Sequence, residues 1–138
     1  METLTSKTIS REIAKCVSRD YYSLCVIFNT QNEARLYSER LISEMKPFQD
    51  VWRNFENARF RNTLHEASTI EFPNGSRILF RGIPTEAFRG YRFHKILIDD
   101  NVPLPNNDPR MTMLRAMETL NYHEQERQIR RNAANWVF

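Results

Sequence analysis

Glycine is scarce, with three residues in 138, cysteine occurs twice, and no apolar stretch is long. Each shortage excludes something. Cys16 and Cys25 fall on a helix-like face and in an apolar run, so they offer neither a disulfide framework nor a zinc-ligand spacing and read as buried core thiols. No apolar run approaches the roughly 18 residues of a membrane span, and the N-terminus carries no signal-peptide core, which sets the expectation of a soluble protein in a reducing cytosol. Internal repeats and low-complexity segments are also missing. Charge of one sign is not in large excess: 20 Lys and Arg stand against 17 Asp and Glu, too mild a balance to declare a nucleic-acid binder. What remains is the length of one ordinary domain with enough apolar residues for a core.

The organisation can be read along the chain. Residues Ser6 to Arg19 place Ile9, Ile13, Cys16 and Val17 on one helical face. The run SLCVIF, Ser23 to Phe28, has the pattern of a strand covered on both faces, as in parallel sheets. Asn29 and Thr30 are suited to cap a helix reaching about Met45, with Pro47 as its stop. The polar and aromatic stretch from Gln49 to Ala67 shows no clear period, and Trp52, Phe55 and Phe60 are its large anchors. STIEF-PNGS-RILFRG predicts a hairpin, because Asn74-Gly75 tolerates positive φ between two runs of β-formers. KILID, Lys95 to Asp99, predicts a second buried strand, and Asp108-Pro109 a helix start after a proline-rich loop. The tail from Arg110 to Phe138 reads as one or two helices with Met111, Leu114 and Met117 as an apolar face, a candidate dimer or partner contact if no sheet covers it.

Three places could carry chemistry. The strand ending in Asp99 and Asp100 is one, since ligands of open parallel sheets bind outside the carboxyl ends of strands. Two acids there suit a phosphoryl-transfer ATPase, the first holding Mg²⁺ through its water shell and the second orienting the attacking water, although an acidic pair also serves simply to start a turn. The second is METLTSKT, where Lys7-Thr8 opens a helix as the Lys-Ser/Thr pair of a phosphate loop does. In that register Met1 and Ser6 stand where the two glycines belong, and no strand is legible ahead of the loop. The third is a basic block, Arg77, Arg81, Arg89, Arg92 and Lys95, with Glu86 as its one acid and Tyr91 and Phe93 as candidate stacking groups for nucleic acid. His65, His94 and His123 have no ligand-spaced partner and read as surface or partly buried side chains; Trp52 and Trp136 read as packing anchors.

The ordered set, a Lys-Thr helix start, buried strand, helix, Asn-Gly hairpin, Arg-Gly loop and a strand ending in Asp-Asp, resembles the ATPase domain of the tailed-phage terminase large subunit, the DNA-packaging motor, most closely its T4-type branch. STIEFPNGSRILFRGIPTEAFRGYRFHKILIDDNVPLPN carries the likeness best, and LCVIFNTQNEARLYSERL looks like the family's second strand and following helix. The resemblance spans roughly residues 5 to 115. It implies a partial P-loop NTPase fold of RecA-like α/β type, a parallel sheet with flanking helices, a β-hairpin and a helical tail. The chain is expected to form one truncated domain, with a core over about 5–108 and a tail over about 109–138. By the same resemblance Lys7 and Thr8 would bind nucleotide, Thr8 and Asp99 would hold Mg²⁺, Asp100 would be the catalytic carboxylate, and Arg89 with Gly90 would form the loop ahead of it. The implied cofactors are Mg²⁺ and ATP. The implied partners are double-stranded DNA, other phage packaging proteins or a host protein, and a homo-oligomer, in the cytoplasm of an infected bacterium.

The family's members are several times longer and carry a coupling motif, a nuclease domain and an arginine finger that have no counterpart here. A phosphate loop without glycines or anchoring strand is not preorganised, so the expectation is weak or no autonomous ATPase activity. The alternative from another class is a phage protein that keeps the scaffold to bind a partner, such as a terminase, a portal or a host factor, or nucleic acid.

Overall fold

A strand buried at all of its positions needs partners on both edges and cover on both faces, and Ser23–Phe28 obtains all four. The computed structural model describes residues 1–45, 59–61, 68–83, 92–105 and 107–119. Their elements in chain order are β1 (Glu2–Thr3), α1 (Ser6–Ser18), β2 (Ser23–Phe28), α2 (Gln31–Met45), β3 (Arg59–Arg61), β4 (Ser68–Glu71), β5 (Arg77–Gly82), β6 (Lys95–Ile98) and α3 (Pro109–Met117). The strands form one six-stranded mixed sheet in the order β1-β6-β2-β5-β4-β3. β1, β6, β2 and β5 run parallel, and β4 and β3 continue antiparallel beyond β5. This is an α/β architecture with flanking helices.

This topology adds two strands that the sequence did not show. A strand does precede Lys7, but it is two residues long, too short to show in a periodicity, and it pairs directly with β6. Within the aperiodic 49–67 stretch, Arg59–Arg61 is a strand that extends the hairpin sheet. The tail helix is described only to Met117, and Trp52, His65, His123 and Trp136 lie outside the described residues.

Alternation along the strands divides the core. Leu24, Val26, Phe28, Ile78, Phe80 and Leu97 face α1 and α2, whose buried stripes include Ile9, Ile13 and Cys16 on one helix and Ala34 and Leu41 on the other. Cys25, Ile27, Leu79 and Ile96 face α3 through Leu114 and Met117. The apolar face of α3 is thus spent on the sheet rather than left for a partner. Both cysteines are free and buried. Glu118, at the C-cap of α3, fastens that helix down, its carboxylate accepting from the Ile96 N–H and from the Met1 ammonium, each at 2.8 Å.

The helix starts follow local chemistry. Thr5 caps α1, and its side chain exchanges hydrogen bonds with Thr8 in a capping box. Thr30 Oγ1 accepts from Glu33 N at 3.2 Å to begin α2. Asp108 accepts from Arg110 N at 2.9 Å with Pro109 in the first turn of α3.

The Asn-Gly turn does more than reverse the chain. Gly75 sits at φ +83°, and a Cβ there would come within 2.6 Å of the Tyr21 ring. Asn74 Nδ2 donates to Cys16 O at 2.8 Å and Arg19 O at 3.1 Å, covering the open carbonyls at the end of α1. Ser76 Oγ donates to Arg19 O at 2.6 Å and accepts from Tyr22 N at 3.0 Å. The turn therefore locks α1, β2 and the hairpin together at the amino edge of the parallel strands. Beside it, fully buried Glu12 accepts from the Tyr22 hydroxyl at 3.0 Å and lies 3.0 Å from Lys15 Nζ. Burial pushes the Tyr22 phenol up, with the Glu12 charge and hydrogen bond adding to it.

Candidate functional site at the carboxyl edge

All parallel strands end on one edge, which places the start of α1, the start of α2 and the turn after β6 there together. β1 leads into α1 and β2 into α2 on one face, whereas β6, lying between β1 and β2, leads to α3 on the other. Successive connections to opposite faces open a crevice at the strand ends, the topological switch point where open α/β sheets bind ligands. Asp99 and Asp100 sit in it.

Asp99 extends the ladder, its N–H donating to Ile27 O at 2.9 Å and its carbonyl accepting from Val102 N at 3.1 Å to close a turn. Asp99 is half-buried and Asp100 exposed. The alternation of β6 carried one residue further directs Asp99 toward the α1 and α2 side. Consistent with this, its charge reaches the Tyr37 phenol, which burial pushes up while Arg40 opposes and Glu44 and Asp99 add. An open cleft of about 580 Å³ continues the crevice onto the α3 face. Ile98, Val102, Leu104 and Met111 supply its apolar wall, and Glu2, Asp99, Asp100 and Arg115 its charged side chains. Among the described residues no group of three or more His, Cys, Asp and Glu side chains is arranged to hold a metal. A hydrated Mg²⁺ needs only one or two carboxylates with the rest of its shell from water and ligand oxygens, and the Asp99-Asp100 pair fits that requirement.

Lys7 and Thr8 lie on the first turn of α1, at the same edge as the aspartates, with Leu4 N donating to Ile98 O at 2.8 Å. Lys7 is exposed. Only Leu4 and Thr5 separate β1 from α1, so there is no loop long enough to wrap a phosphate. The Thr8 hydroxyl is engaged locally, donating to Thr3 O at 2.9 Å and accepting from Thr5 N at 2.8 Å. The arrangement puts a helix N-terminus, with Lys7 on its first turn, at the same sheet edge as the aspartates, without a backbone cradle and with Lys7 outside the lining of the cleft.

The basic block is not brought together as one strip. Arg77, Leu79 and Arg81 alternate onto the α3 face, where burial pushes the Cys25 thiol up against the opposing charges of Arg81 and Arg77. Lys95 belongs to the other face and binds Glu2 Oε1 at 2.7 Å. Arg11 holds Glu2 Oε2 at 2.8 Å, and these two hydrogen bonds lower the Glu2 carboxyl to about 2. Arg92 is exposed just ahead of β6, while Arg89, Gly90 and Tyr91 lie outside the described residues. Phe93 is fully buried in the α3-side core and presents no stacking face. His94 is structural, its Nδ1 accepting from Ser23 N at 2.9 Å and its ring stacked on Tyr22.

Arg115 is the cleft residue that sequence reasoning missed, because nothing in an isolated helix pattern says which sheet edge the helix crosses. No helix among the described residues is long and apolar enough to cross a membrane. Comparison with protein-family models, with curated proteins and with solved structures finds no match.

Proposed function

We propose that the chain is a terminase-type ATPase-domain piece whose carboxyl-edge crevice binds a magnesium nucleotide, with weak or no hydrolysis by the isolated chain. The observation that supports this reading is that the Lys7-Thr8 helix start and the Asp99-Asp100 pair follow the adjacent parallel strands β1 and β6 at a switch point. In this reading Asp99 receives the metal's water shell, Asp100 accepts a proton from the attacking water, and Lys7 faces phosphate as a point charge. When bound, Mg²⁺ neutralises phosphate charge and orients it. With no cradle, hydrolysis in this reading is weak or nil, since positioning and preorganised electrostatics supply nearly all of the acceleration in phosphoryl transfer.

Titration with a fluorescent ATP analogue, with and without Mg²⁺, tests the proposal. Saturable Mg²⁺-dependent binding that is lost in both Lys7→Ala and Asp99→Asn supports it; no binding up to millimolar nucleotide rejects it. A second reading, a scaffold that binds a packaging protein, a host protein or double-stranded DNA without hydrolysis, is favoured by the two-residue connection into α1 and the committed Thr8 hydroxyl. Unchanged pull-down of such a partner by the two site variants would support that reading.

A further inference from the structure

The cleft carries one charged side chain that neither motif explains. Arg115 is exposed, follows Met111 by one turn of α3, and lines the cleft with Asp99 and Asp100. Glu2, the other acid of the lining, is already neutralised by Lys95 and Arg11. Arg115 makes no ion pair with Asp99, Asp100 or any other acid among the described residues. Arg115 and the two aspartates thus line one cleft with no ion pair between them. The gap suits a ligand that is cationic toward the acids and anionic toward the arginine, and a metal-bound polyphosphate has that polarity. The planar fork of Arg is matched to phosphate oxygens, which it binds through charge-assisted hydrogen bonds.

We propose that Arg115 is the phosphate-binding residue of the crevice, taking the part that a wrapped backbone loop would otherwise play. The inference rests on the nucleotide reading above and adds a residue, on another face of the sheet, that the reading does not require. Its test is competition of magnesium tripolyphosphate and of Mg·ATP against a fluorescent ATP analogue, in the wild-type chain, Arg115→Gln, Arg115→Lys and Asp99→Asn. Arg115→Gln is expected to weaken both competitors by at least about tenfold, the scale of one charge-assisted hydrogen bond, and Arg115→Lys to recover part of the loss. The salt dependence of binding is expected to flatten in Arg115→Gln, while its thermal midpoint changes little, because the exposed side chain makes no hydrogen bond or ion pair among the described residues. Equal affinity in the wild type and Arg115→Gln, with Asp99→Asn still abolishing binding, would overturn the role of Arg115 and leave the nucleotide reading standing. Absence of binding by the wild type would overturn both.

Discussion

Replacing Asn74 with Ala removes the side chain that joins three elements, and the cost follows from the contacts. Asn74 Nδ2 covers Cys16 O and Arg19 O at 2.8 and 3.1 Å, and Oδ1 accepts from Ser76 N at 3.0 Å. Three hydrogen bonds at about 1 kcal/mol net each would give about 3 kcal/mol, and partial access of water to this half-buried side chain reduces that to about 2–3 kcal/mol. For a domain of this size the thermal midpoint should fall by roughly 6–10 °C, read by circular dichroism with urea unfolding as the equilibrium check. Asn74→Asp separates the contributions: it keeps the turn and the acceptor but sets a carboxylate against the carbonyls at the end of α1, where negative charge is unfavourable. It should destabilise at least as much as Ala. A loss below about 0.5 kcal/mol in Asn74→Ala, or an Asn74→Asp variant as stable as the wild type, would refute the idea that the turn holds the amino edge together.

Other perturbations give distinct outcomes. Gly75→Ala meets both a positive φ and the Tyr21 ring, and should cost about 1–2 kcal/mol by urea unfolding. Gly82→Ala should cost more than Gly75→Ala in the same assay, because its Cβ would lie 2.6 Å from the Gln31 backbone nitrogen, which cannot swing away as a side chain can. Tyr22→Phe deprives buried Glu12 of its hydroxyl donor and should destabilise by about 1.5–3 kcal/mol. Glu2 has a folded pKa lowered to about 2 from 4.5, so its contribution is fully present above about 4.5 and is lost as pH falls toward 2. Because that pair is solvent-accessible, the difference in acid stability between the wild type and Glu2→Gln should be below about 1 kcal/mol and should shrink in high salt.

Legibility in the sequence tracked the range of the forces involved. SLCVIF, the Asn-Gly hairpin, KILI and the Asp108-Pro109 helix start were readable because local periodicity, turn chemistry and capping set them. β1 was not, since two residues hold no period and their extended state comes from pairing with β6, nearly a hundred positions away in the chain. Lys95 counted as part of a basic block in one dimension, yet strand alternation sends it to the face opposite Arg77 and Arg81 and gives it to Glu2. Phe93, read as a stacking group beside that block, is instead core. The acidic pair was visible as the end of an apolar strand, but its position between connections to opposite faces depends on strand order. Arg115 entered the cleft for the same reason.

The proposed nucleotide site lies at the carboxyl edge of the parallel strands and not at their amino edge. Amide NMR spectra of the chain with ATP and substoichiometric Mn²⁺ in place of Mg²⁺ test it directly, because paramagnetic broadening falls steeply with distance from the metal. Selective broadening is expected for Asp99 to Val102 and for Thr5 to Thr8, with Asn74 to Arg77 unaffected. Broadening centred on Asn74 to Arg77, or none that depends on ATP, would contradict it.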